Sequence, residues 1–186
     1  MTIAALFIGC GSKSGPDLSP EASSKTVKNI PDWYLNTPVK EGFKYQTAEA
    51  TSQSMQLAVD KARVAAVSNL SQMIKSEWNG YSKRVQEETG MGSDSKLLDQ
   101  FSSTQENVIS NQLEGVIVKK KDIQVENSDG TRIYRIFVLV EFDENAANEK
   151  LLAQIKADQQ LYDAIKASEL VNEMEQKVEA YRQRNQ

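Results

Sequence analysis

The chain has no histidine, one cysteine, four prolines and nine glycines in 186 residues, and aromatic side chains make up 7% of it. Each shortage removes a class of function. Without histidine, the side chain that most often serves as general base and metal ligand near neutral pH is missing. A lone cysteine cannot close a disulfide within the chain. No apolar stretch approaches the roughly 18–20 residues of a bilayer-spanning helix. The serines have no base to activate them, and neither a Gly-x-Ser-x-Gly turn nor a phosphate-cradling glycine loop occurs. Gly90-Met91-Gly92 reads as a turn, Glu87-Glu88 as a solvated helix end, and Glu141, Asp143 and Glu144 as acids at a helix N-terminus, where they complement its dipole. No catalytic residue, bound cofactor or metal site is expected, and the chain is not expected to be an enzyme. With 22 basic and 26 acidic residues the net charge is −4. An acidic chain lacking a basic, aromatic-interleaved surface is not built to track nucleic acid.

What is present begins with Cys10. It stands where a short apolar run, Ile3-Ala4-Ala5-Leu6-Phe7-Ile8-Gly9, gives way to the polar stretch Gly11-Ser12-Lys13-Ser14-Gly15-Pro16. A small residue before a cysteine at such a junction reads as a bacterial lipoprotein processing site. Residues 1–10 are then the remnant of a signal peptide, and the Cys10 thiol carries diacylglycerol through a thioether, with a further acyl chain, such as palmitate, on the new amino terminus. No Lys or Arg precedes the apolar run, although a secretory leader carries basic residues there. We therefore expect the natural start to lie further upstream. A single acyl chain holds a protein weakly at a membrane and two or more hold it stably. Gly11 rather than Asp follows the cysteine, so the inner-membrane retention residue is absent. This points to the periplasmic face of the outer membrane.

Residues 11–29 are rich in Ser, Lys, Pro and Gly. Such a segment cannot bury enough apolar surface to offset its ordering entropy. It reads as a flexible tether, spanning about 60 Å if fully extended. A folded domain is expected over 30–150, opening at Ile30-Pro31-Asp32-Trp33-Tyr34, with Trp33 and Tyr34 as core residues closing its entrance or, failing that, as a binding ledge. A short strand is predicted at Phe43–Ala48. A long helix capped by Thr51 or Ser52 should run to about Trp78, with Met55, Val59, Ala62, Ala66, Leu70 and Met73 at three- and four-residue steps. Asn79-Gly80 reads as an interruption, beyond which Tyr81–Glu88 can continue as helix. A second helix is predicted over Ser95–Leu113, facing inward through Leu98, Phe101, Val108 and Ile109, with Gln105 intruding on that seam.

Two strands follow. In Glu114–Glu126 the apolar parity switches between Val116/Val118 and Ile123/Val125, and a strand cannot change faces without an irregularity, so a bulge is predicted at Lys119-Lys120-Lys121. Asp129-Gly130 is a hairpin turn signal. Thr131–Phe142 is apolar on both parities, as a central strand is. The tail 143–186, free of Gly and Pro, is predicted to be one long helix capped by Asp143. Its first stripe, Leu151, Leu152, Ile155, Tyr162 and Ile165, is expected to pack on the domain. Its second, Val171, Met174, Val178 and Tyr181, is out of phase with the first and resembles a short heptad seam. These four residues are read either as a self-association interface or as a simple fold-back of the tail within the chain. The three lysines 119–121 admit two readings. One is an edge strand guarded against unwanted pairing; the other is a contact for an anionic partner such as a lipid headgroup or cell-wall polymer.

The order of these features resembles the LPP-twenty lipoprotein family, small bacterial outer-membrane lipoproteins. The residues that carry the likeness are Cys10 with its tether, Pro31-Asp32-Trp33, the alanine-spaced helix Ala58-Val59-Asp60-Lys61-Ala62-Arg63-Val64-Ala65-Ala66-Val67-Ser68-Asn69-Leu70, and the strand Ile133-Tyr134-Arg135-Ile136-Phe137-Val138-Leu139-Val140. The likeness spans about residues 30–155. It implies an α+β fold, a small antiparallel sheet of about three strands packed with an Ala-rich long helix and a second helix, plus the long C-terminal helix. It also implies kinship with flagellar-assembly envelope proteins, some of which form rings or disks around the motor. The expected function is a structural or assembly role at the outer membrane, with the chain itself or other envelope proteins as partners. The alternative is a tethered periplasmic binding module that takes a cell-wall polymer or small ligand between sheet and helix.

Overall fold

The computed structural model describes residues 29–90, 96–128 and 130–184. The domain from Pro31 onward is α+β: α1 (Asp32–Leu35), β1 (Phe43–Ser52), α2 (Met55–Thr89), α3 (Lys96–Glu114), β2 (Ile117–Ser128), β3 (Thr131–Asp143), α4 (Glu144–Ala157), α5 (Gln159–Ile165) and α6 (Glu169–Arg184). The sheet is antiparallel in the order β1-β3-β2. The strand with apolar residues on both parities is thus the central one. Its Ile136, Phe137, Val138, Leu139 and Val140 are all fully buried.

The two faces of β3 are covered differently. Ile136, Val138, Val140 and Phe142 join the main core with α2. On the opposite face the ring of Tyr34 meets Phe137 edge-on, with centroids 4.8 Å apart. This places α1 under the sheet, and Trp33 lies edge-on to Tyr34. The hairpin turn falls as expected, with Ser128 paired to Thr131 and Gly130 at φ +77. The bulge does too: Val118 pairs with Val140 but Lys120 pairs with Leu139, so the register slips at Lys119. That extra residue brings Lys121, Ile123 and Val125 onto the same face as Val118, which reconciles the two parities.

Two expectations about helices are corrected. The first concerns α2, which starts later than predicted and does not stop at Asn79-Gly80. Its cap is Ser54, whose side chain accepts from the Leu57 amide, and it ends at Gly90 in the left-handed conformation at φ +69. Its buried positions are Ala58, Ala62, Ala66, Leu70, Ile74, Trp78 and Val85. Steps of four advance an ideal helix by about 40° each, so from Ala58 to Trp78 the buried stripe winds about 200° around the axis. A stripe of this kind suits a helix with successive neighbours. α2 lies on β1 and β3 and also packs against α3, α5 and α6. At 35 residues it is about 52 Å long, well beyond the reach of a ten-residue strand. The burial of Trp78, Tyr81 and Val85 against this second set outweighs the cost of about 1 kcal/mol for a helical glycine.

The second correction concerns the tail, which is three helices. Asp158 ends α4 at φ −102, ψ 99, and its side chain accepts from the Leu161 amide at 2.9 Å to start α5. Ser168 accepts from the Val171 amide at 3.3 Å at the start of α6. Two capping side chains break the run where no glycine or proline does. The turn lays α6 back on α4 and α2. Val171, Met174 and Val178 are thereby buried to 1–3% exposure within the domain core, and Tyr181 is half-buried. Of the two readings of this stripe the fold-back holds and the interface does not: the seam is core, and its partner stripe belongs to the same chain. Lys156–Glu175, Arg182–Glu149 and Arg84–Glu173 ion pairs, at 2.7, 2.8 and 3.0 Å, flank the packed face.

Gly42 fixes how α4 leaves the sheet. It sits at φ +76, and its carbonyl accepts from the amides of Glu144 and Asn145 at 3.0 and 3.3 Å. A Cβ at this position would lie 1.9 Å from the Asn145 side chain.

Candidate functional site

Cys10 lies outside the described residues. Of the other expected site residues, the tail stripe is interior, and the three lysines are brought to an exposed edge. Among the described residues, strand β2 has only β3 beside it. Lys119, Lys120 and Lys121 are exposed, and so are the apolar Ile117, Ile123 and Val125. Such exposure of three large apolar side chains along one edge strand was not foreseen. The signal was available: with the bulge placed, Ile123 and Val125 must lie on the helix-side face, at the strand farthest from α2.

The lysines do not act as one cluster. Lys119, the bulge residue, turns to Glu141 on β3, with Nζ 3.2 Å from Oε1. The other oxygen of that carboxylate accepts from the Tyr45 hydroxyl at 2.8 Å. Burial opposes the charge on Glu141, whose side chain is 12% exposed, but the hydrogen bonds from Tyr45 and Lys119 outweigh it and hold the carboxyl below the usual glutamate range. Burial, together with the bond to Glu141, pushes the Tyr45 phenol up to about 12. Lys120 pairs with Leu139 and so belongs to the face opposite α2; Lys121 pairs with Val138 and belongs to the α2 side.

The same face as Lys120 carries a second polar device. Arg135 on β3 reaches Glu126 on β2 at 2.8 Å and Glu49 on β1 at 3.1 Å. One guanidinium thus ties all three strands through its planar donor set. Burial works against the charge on Arg135, but the bond to Glu126, the largest influence, and the charge of Glu49 keep its pKa raised.

Between α2 and α3 lies a cleft of about 270 Å³, lined by Lys75, Asn79, Ser82, Ser102 and Gln105 among others. Gln105, the residue that intruded on the apolar seam, is 3% exposed. Its Oε1 accepts from the Ser82 hydroxyl at 2.5 Å, while its Nε2 has no protein partner. Among the described residues no three acidic or sulfur side chains converge as a metal site would require, and no helix is long and apolar enough to cross a membrane. Glu88, at the end of α2, meets Arg84 and the Leu170 amide.

No family model, curated protein or solved structure matches this chain. The functional reading therefore rests on its own residues and on the likeness stated above.

Proposed function

We propose that this chain is a lipid-anchored envelope protein with a structural or assembly role at the periplasmic face of the outer membrane, related to the LPP-twenty lipoproteins. Cys10 is its attachment point, holding a thioether-linked diacylglycerol and an N-acyl chain. Residues 11–29 are its leash, and the α+β domain is the part that meets other proteins, copies of itself included. The single observation that carries this reading is the position of the only cysteine, between a short apolar run and a polar tether. The order of elements in the domain is consistent with it, since the Ala-spaced helix and the late strand that carry the family likeness form the two layers of one core. A role at the flagellar motor is the narrower form of the proposal.

The test is made in the native host. Cys10→Ser should move the protein from the membrane to the soluble fraction. Mass spectrometry of the wild-type protein should find an amino terminus at Cys10 carrying lipid mass. An intact protein with residues 1–9 attached and a free thiol would overturn the anchoring. A soluble monomer whose melting temperature rises with added wall fragments would move the role from assembly to ligand capture.

A further inference from the structure

We propose that β2 is a two-fold interface, at which a second copy of this chain adds its own β2 antiparallel with Ile123 on the axis, giving a continuous six-stranded sheet. The inference deepens the self-assembly part of the function proposed above and rests on it.

An edge strand offers a row of backbone donors and acceptors to another strand. At 12 residues β2 is long for an edge, and neither helix layer covers its outer apolar side chains. Ile123 and Val125 are 41% and 54% exposed, while their in-register neighbours on β3, Ile136 and Tyr134, are buried and half-buried.

Charge decides which copy-to-copy register is allowed. A two-fold axis perpendicular to the sheet must pass through one residue, which then faces its own equivalent. With the axis at Lys120 or Lys121, lysine faces lysine. With the axis at Asp122, aspartate faces aspartate. With the axis at Gln124, Asp122 faces Glu126 of the second copy. With the axis at Val125, no opposite charges meet within β2, which ends at Ser128. Only an axis at Ile123 sets opposite charges across the seam without a like pair: Lys120 faces Glu126 twice, Asp122 faces Gln124 twice, and Lys121 faces Val125 twice.

The faces agree with this register. Lys120 and Glu126 both lie opposite the α2 layer, being paired with Leu139 and Ile133. Ile123, Lys121 and Val125 all lie on the α2 side, paired with Ile136, Val138 and Tyr134. Across the axis the two Ile123 side chains cover each other, and each Lys121 lays its aliphatic stem over a Val125 while its ammonium stays in water. Glu126, which already holds Arg135, would extend that ion pair to Lys120 of the second copy. The lysines thus select one register and reject the others. A strand pair is a small interface. Confinement to a membrane surface raises the effective concentration at which it forms.

The experiment uses the full chain carrying Cys10→Ser, which removes the only native thiol. Residues facing each other in antiparallel strands have Cα atoms about 4.5–5.5 Å apart, within disulfide range. Mild oxidation of Ile123→Cys should therefore give a cross-linked dimer, while Val125→Cys, about 13 Å from its own equivalent, should cross-link poorly. Lys120→Glu should weaken the dimer about tenfold by analytical ultracentrifugation. Adding Glu126→Lys to that variant should restore it. A dimer in which Ile123→Cys links no better than Val125→Cys, or in which the double charge swap fails to restore association in a folded protein, overturns the β2 register and leaves self-assembly standing. A chain that stays monomeric at every concentration, with no cross-link, overturns both.

Discussion

Gly42 and Gly80 are chemically identical and structurally opposite. Gly42 combines a left-handed backbone with a neighbour 1.9 Å from where a Cβ would stand. Gly42→Ala should cost about 1–3 kcal/mol from backbone strain alone, with further loss as Asn145 is displaced. Gly80 has nothing within 4 Å of a Cβ and lies in mid-helix. Gly80→Ala should stabilise by about 0.4–1 kcal/mol, because it restricts the unfolded chain and suits the helix. Thermal melts of the two variants should move in opposite directions. A drop in melting temperature for Gly80→Ala would show that the helix needs freedom at that point. In the tail, Met174 is 2% exposed. Met174→Ala should destabilise by about 2–5 kcal/mol. A wild-type melt combined with lost self-association would return the stripe to the surface.

At the level of elements, the sheet was largely readable. Period-two patterns located β2 and β3, the parity break located the bulge at the lysines, and Asp129-Gly130 located the turn. β1 was found but cut short, since Glu49 and Thr51 look like loop residues until Arg135 and the strand pairing hold them. The helices were harder because local composition competes with packing. Asn79-Gly80 reads as a stop only if nothing holds the next turn, and Trp78, Tyr81 and Val85 hold it. The tail had the reverse problem. Its out-of-phase stripes and the intervening Asp158 were visible, but capping breaks by Asp158 and Ser168 leave no glycine or proline to mark them. The placement of Lys119–Lys121 on an edge could be anticipated. The partnership of Glu141 with Tyr45 could not, because it joins residues 96 apart.

That partnership predicts a pH response. Glu141 has a lowered pKa in the folded state, so the unfolded state binds more protons across the carboxylate range. The stability it contributes is present above the ordinary glutamate value of about 4.3 and is lost as pH falls through the depressed native value. Tyr45 runs the other way. Its pKa is raised to about 12, so its contribution is present below about 10 and fades as pH climbs toward the native value. Urea denaturation across pH should show a shallower acid limb for Glu141→Gln than for the wild type. Equal slopes would mean that the Tyr45–Glu141–Lys119 contacts do not couple folding to protonation.

For the whole molecule, the layers explain why one modest chain can hold a 35-residue helix. The sheet supports it through β1 and β3, and α3, α5 and α6 also pack on it. Removing α6 would take one of its main neighbours from α4 as well as losing its own apolar stripe, so the tail belongs to the folding unit. The boundary expected at residue 150 falls inside α4, and the compact unit extends from Pro31 to the end of the chain. The cellular test of Cys10→Ser addresses the proposed anchor directly.

The ion pair between Arg184 and Glu41, at 3.3 Å, has a topological consequence. It brings the last helical turn of the domain beside the loop that leads into its first strand. A Gly-Ser bridge from residue 184 back to residue 31, with new ends cut between Gly90 and Lys96, should therefore give a circular permutant that keeps the Arg184–Glu41 pair. In such a permutant a segment fused ahead of the domain would enter at Lys96, the first residue of α3, and no longer at Pro31.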